Sequence, residues 1–172
     1  MAGSTSAPPD DVPRPVERTI ASIAEQVEAI DAIVDRARSR LRVFDVDLSQ
    51  GGWHTADRAE RLVAFLRRAH GPRVEVIVHD TRWLAQSCPR LITVLRLYGH
   101  AITVYRTGSE ARNAMDALVI ADDRHFLHRF HVDGPRAALA FDSPIAARPL
   151  VARFEEIWAT GEPGLSGTVL GL

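Results

Sequence analysis

The stretch Ala117-Leu118-Val119-Ile120-Ala121-Asp122-Asp123, continued by Arg124-His125-Phe126-Leu127-His128-Arg129-Phe130-His131-Val132-Asp133, decides what kind of domain this is. Five successive apolar residues suit a strand buried on both faces. Asp122-Asp123 then breaks the run with turn-forming residues, so residues 125–131 read as its hairpin partner. A strand covered on both faces needs helices to cover it, and the sequence upstream supplies them.

Working outward, Val16, Ile20, Ile23, Val27, Ile30, Val34, Ala37 and Leu41 recur at alternating steps of four and three. That spacing predicts one apolar stripe along a helix of about seven turns. It also suits a coiled coil, but Ala24 and Ile33 widen the stripe toward a helix packed on its own sheet. Leu41-Arg42-Val43-Phe44 through Val46 reads as a strand, with Asp45 and Asp47 alternating against the apolar side chains. Gly51-Gly52 ends it, and Thr55 caps a helix running to about His70. Residues 74–78 form a second buried run. A third helix, interrupted at Pro89, continues through Leu97 to Gly99, and residues 101–105 supply the next strand. A last helix over 144–160 buries Ile145, Leu150, Val151, Phe154, Ile157 and Trp158. The alternation of helices and short buried strands predicts an α/β domain with a mostly parallel sheet flanked by helices on both faces. Residues 1–15, with four prolines, read as a disordered tail, 16–160 as the domain, and the Gly-rich 161–172 as a flexible tail.

Composition narrows the chemistry. The chain has 172 residues, 46% of them hydrophobic and 25% charged, which suits one globular domain with a real core. All 21 basic residues are arginine. Without lysine there is no phosphate-loop lysine, no Schiff base and no lysine general base. A GC-rich coding genome is the plainer reading of the bias, and the chemical exclusion holds whatever its origin. Net charge is −1, so no global field gathers nucleic acid or acidic membrane, and nucleic acid is not the expected partner. The single cysteine, Cys88, reads as a small core residue and fits a reducing, cytoplasmic setting. The sequence shows neither a secretion signal nor a run of about 20 apolar residues, so no membrane role is expected.

The order of elements, with Ala117 to Asp123 as a signature strand and turn and Phe154-Glu155-Glu156-Ile157-Trp158 as a closing helix, resembles one half of a phospholipase-D-like protein. In that family the strand carries His-x-Lys-x4-Asp, followed after six residues by Gly-Ser-x-Asn. With Asp122 on the family's aspartate, Met115 stands at the nucleophilic histidine, Ala117 at the lysine, and Arg129-Phe130-His131-Val132 at Gly-Ser-x-Asn. The resemblance implies a catalytically dead or repurposed relative. Because halves of this family pair about a dyad, it also implies a homodimer or docking onto a partner domain.

Beside the altered signature, His125, Arg129 and His131 alternate along the expected strand and would share a face near Asp122, with His128 on the other face. An arginine fork and two histidines suit a phosphate-containing ligand; the plainer reading is a hairpin edge of solvated polar groups. His79, in His79-Asp80-Thr81-Arg82-Trp83, follows a buried strand, where open α/β sheets place ligands. There the plainer reading has Asp80 or Thr81 capping the next helix while Trp83 packs. The candidate binding residues are therefore Asp122, His125, Arg129, His131 and His79, with no metal site and no cofactor expected. The expected function is a non-catalytic binding or regulatory module. The alternatives are a hydrolase using His79 or His131 beside Asp122, and a purely structural dimerisation or partner domain.

Overall fold

The computed structural model describes residues 16–68, 71 and 73–165. The expected tail over 1–15 lies outside the described residues, as does the end of the second helix at Ala69 and His70.

The long first helix expected from Val16 divides into three elements: β1 (Val16–Ile20), α1 (Ile23–Arg36) and β2 (Arg40–Asp45). Local chemistry breaks the stripe. The Ser22 hydroxyl accepts from the Glu25 amide at 3.2 Å, and the Glu25 carboxylate accepts from the Ala21 amide at 2.9 Å. This reciprocal capping starts the helix at Ile23 and leaves the β-branched Thr19 and Ile20 extended. Steps of four and three therefore continued across three elements by coincidence of register.

Next come α2 (Ala56–Arg68), β3 (Arg73–Val78), α3 (Arg82–Ser87), α4 (Pro89–Leu97) and β4 (Ile102–Arg106). Thr55 caps α2 through its hydroxyl, which accepts from the Arg58 amide at 3.1 Å. Asp80 caps α3, accepting from the Arg82 amide at 2.9 Å. Then follow β5 (Ala117–Ala121), β6 (His125–Arg129), β7 (Ala137–Phe141), α5 (Pro144–Ala159) and β8 (Glu162–Leu165). The strands β7 and β8 were not anticipated, and β8 occupies the beginning of the segment expected to be a flexible tail.

The eight strands form one sheet in the order β1-β7-β6-β5-β2-β3-β4-β8. Only β2–β3 and β3–β4 run parallel; the other neighbouring pairs are antiparallel. The expectation of a mostly parallel sheet is thus corrected: helical crossovers end at β4, and the chain then folds back as a meander of hairpins. The β5–β6 turn is the one expected. Asp122 and Asp123 both adopt positive φ, 53° and 56°, as a tight hairpin turn requires and aspartate tolerates.

Helices do cover both faces. On one, α1, α2 and α4 pack over Val43, Val76, Val104, Val119 and Leu127. On the other, α5 is the one α-helix among the described residues, and it packs Phe154 and Ile157 against Phe44, Ile77, Leu118, Ile120 and Phe126. Burying each such side chain contributes about 1.5–3 kcal/mol. Because α5 is one helix on an eight-stranded sheet, the beginnings of β3 and β4 remain open on its face, with Thr103 exposed. No helix among the described residues is long and apolar enough to cross a membrane.

Candidate functional site

The five residues singled out from the sequence do not converge. Asp122 lies at the turn end of the β5–β6 hairpin. Its carboxylate accepts from the amides of Arg38, Ser39 and Arg40 at 2.8, 2.9 and 3.0 Å and from the Ser39 hydroxyl at 3.0 Å. Partial burial acts to raise its pKa, but these bonds prevail and hold it below the ordinary carboxylate range. His125 is buried near the same end. Its Nδ1 accepts from the Asp142 amide at 3.0 Å, and burial lowers its pKa, keeping the ring neutral.

Arg129 is at the other end of β6, about 13 Å along the strand from His125. Its guanidinium is buried and donates to the carbonyls of Gly134 at 2.7 Å and Val132 at 2.5 Å. It therefore braces the turn into β7. His131 has left the strand and is exposed; its Nδ1 accepts from the Asp133 amide at 3.2 Å. The register assigns faces as well. His125 and Arg129 share the α1 face with Leu127, whereas His79 stands edge-on to Phe44 on the α5 face, with ring centroids 5.5 Å apart. Both nitrogens of His79 are engaged. Nε2 donates to the Ala114 carbonyl and Nδ1 accepts from the Thr107 hydroxyl, each at 2.6 Å.

Two arrangements were not foreseen at the end of the sheet where the signature would lie. On the α5 face, Arg153 donates from Nε and Nη2 to the two oxygens of Asp116 at 2.8 and 2.6 Å, and His128 Nε2 donates to the same carboxylate at 3.0 Å. Burial works to raise the Asp116 pKa, but His128 and Arg153 outweigh it and hold the carboxyl well below its usual range. The signal lay in the register: Leu118 pairs with His128, which puts Asp116, two residues before Leu118, on the His128 face. On the α1 face, burial pushes Asp45 up to about 6, beside Arg129 and a space of only 20 Å³. Asp45 is thus drawn under α1 instead of projecting to solvent. Met115 and Phe130, both partly exposed, flank this end of the sheet.

A larger concavity lies elsewhere, where α5 leaves the sheet uncovered. It encloses about 440 Å³ and is lined by Arg40, Arg73, Glu75, His100, Thr103 and Trp158, among others. Arg40 and Arg73 are direct register partners on β2 and β3, so their side chains stand side by side on one face. Arg40 pairs with Glu75 at 2.9 Å. The carboxylates of Asp123 and Glu155 are both drawn to the buried Arg42. Arg73 has no ion-pair partner among the described residues. Tyr105 stacks on Trp158 with centroids 4.4 Å apart and forms the aromatic wall. Among the described residues, no three His, Cys, Asp or Glu side chains are placed to hold a metal ion.

Residues 22–166 match the family model described as Domain of unknown function (DUF7931). The chain belongs to that family. No curated protein matches the sequence. Among solved structures, this DUF7931 chain is similar to Nuc from Salmonella typhimurium, a phospholipase D family member, with a TM-score of 0.63 and 16% identity over 88% of this chain and 99% of that one. It is similar to NucT from Helicobacter pylori, with a TM-score of 0.60 and 12% identity over 87% and 99% of the two chains. TrmBL2, an archaeal chromatin protein described as showing a novel mode of DNA binding, gives a TM-score of 0.65 and 10% identity over 94% of this chain and 56% of that one. These likenesses show that the DUF7931 chain has a phospholipase-D-like α/β fold; at such identities they carry the fold alone.

Proposed function

We propose that the chain is a non-catalytic binding or regulatory module built on the phospholipase-D-like fold. The observation that carries this is the content of the signature strand. Met115 and Ala117 stand where the resemblance puts nucleophile and clamp, and no lysine occurs anywhere in the chain. The polar groups close by are spent on structure: His79 on Thr107 and Ala114, Arg129 on two carbonyls. A methionine and an alanine offer no attacking atom and no donor to a phosphorane. Incubation with bis(p-nitrophenyl) phosphate and with short single- and double-stranded DNA is expected to give no product above buffer. In parallel thermal-shift measurements, a phosphate-containing ligand or a partner protein raises the melting temperature. Phosphodiester turnover would overturn the assignment.

The module pairs with a second copy or a partner domain through the end of the sheet where Met115 and Phe130 are exposed. Sedimentation of the purified chain tests this, and a monomer at all concentrations excludes the homodimer. With Cys88 the single cysteine, a reducing, cytoplasmic setting is part of this reading. The alternative is a hydrolase with His/Asp chemistry. The pair that favours it is His128 with Asp116, not His79 or His131 with Asp122. Turnover lost in His128→Ala, with folding intact, would select it.

A further inference from the structure

We infer that the open cleft between α5 and the beginnings of β3 and β4 is the ligand site of this module, and that it takes a small phosphate monoester. The inference rests on the binding-module assignment and names the site and ligand class that assignment leaves open. It places the ligand at the opposite end of the parallel strands from the altered signature.

Charge carries the first part. Like charges directly opposite on neighbouring strands repel, so they persist where something else neutralises them. At Arg40 and Arg73 the neutralisation is incomplete. Glu75 serves Arg40, while Glu155 and Asp123 are committed to Arg42, whose side chain is only 3% exposed. Arg73 is left with its guanidinium in solvent at the cleft mouth, and His100 lines the same mouth without a hydrogen-bond partner among the described residues. A phosphate oxyanion bridging Arg73 and Arg40 would remove the repulsion and gain charge-assisted hydrogen bonds from both forks.

Shape and lining carry the rest. At 440 Å³ the cleft lies within the range of about 300–1,000 Å³ usual for small-molecule pockets. Its wall is the edge of the Tyr105–Trp158 stack, against which an apolar or ring portion packs. Glu75 and Thr103 on the floor can accept from, or donate to, hydroxyl groups. Charge, an aromatic edge and hydroxyl partners within one concavity fit a phosphorylated polyol or nucleoside better than inorganic phosphate.

Isothermal titration of the full chain with inorganic phosphate, ribose 5-phosphate, adenosine monophosphate and succinate tests the site. The organic monoesters are expected to bind more tightly than inorganic phosphate, and succinate to bind least. Arg73→Ala is expected to weaken the monoesters about tenfold or more, the order of effect of losing a charge-assisted fork. Thr103→Glu, which adds a carboxylate on an exposed floor position, is expected to abolish binding while the melting temperature of the free protein stays close to wild type. Both side chains are exposed, so both variants fold. Absence of monoester binding, binding unchanged in both variants, or succinate binding as tightly as the phosphates would overturn the inference. Phosphate release from a monoester that still depends on Arg73 would overturn the non-catalytic assignment and leave the cleft standing.

Discussion

Arg153 on α5 clasps Asp116 through both ends of its guanidinium fork, Nε at 2.8 Å and Nη2 at 2.6 Å, while His128 on β6 holds the same carboxylate from the sheet. One buried aspartate thereby ties α5 to the β5–β6 hairpin. Asp116→Ala leaves Arg153 and His128 without that partner and is expected to cost about 2–3 kcal/mol in urea unfolding at pH 7. The Asp116 carboxyl is held below its ordinary value of 3.8. Its contribution is therefore fully present above about pH 4 and declines as the pH falls toward the lower native value. The gap between wild type and variant should narrow on acidification, and a gap that is flat or widening would show that the ion pair is not its source.

Asp122 should behave as a structural staple and not as a ligand group. Asp122→Ala loses three amide bonds and a hydroxyl bond and forces alanine into φ 53°, so about 2–4 kcal/mol of destabilisation is expected. Asn tolerates that conformation and keeps one accepting oxygen, so Asp122→Asn should cost about half as much. Denaturant melts of the pair check the ratio.

Asp45 should show the opposite pH dependence from Asp116. Burial raises its pKa from 3.8 to about 6, so the folded state keeps its proton where the unfolded chain has lost it. Stability associated with this group is greatest at low pH, falls between about pH 4 and pH 6, and is constant above. Asp45→Asn is expected to stabilise the protein at pH 7.5 by up to about 3 kcal/mol and to change little at pH 4. Melting curves at the two pH values decide it.

Ser22→Ala is expected to destabilise the protein by about 1 kcal/mol and to speed amide exchange in the first turn of α1, where Glu25 loses its acceptor. Unchanged exchange there would mean that packing, not the cap, sets the start of the helix.

Much of the fold was legible because buried runs and caps are local. The strand β5, the Asp122-Asp123 turn, the Thr55 cap and the break at Pro89 all follow from a few adjacent residues. Strand direction is not local, and Ala137-Ala138-Leu139-Ala140-Phe141 lacks the β-branched residues that mark a strand, so β7 and the antiparallel half of the sheet went unseen. The candidate site was less legible still. Alternation along residues 125–131 grouped His125, Arg129 and His131, but His131 lies beyond the end of β6 and each group is engaged by backbone from a different turn. The Arg40–Arg73 adjacency depends on a parallel register across 33 residues of sequence, which no local pattern encodes.

The most direct test of a phosphate-binding module without phosphomonoesterase chemistry is one phosphorus-31 NMR titration of the full chain with adenosine monophosphate, followed for a day after saturation. The prediction is a saturable change in the ester resonance that needs about tenfold or more higher ligand concentration in Arg73→Ala, with no inorganic phosphate signal growing in at any time. Steady growth of inorganic phosphate, faster with wild type than with His128→Ala, would contradict the account and identify the protein as an enzyme.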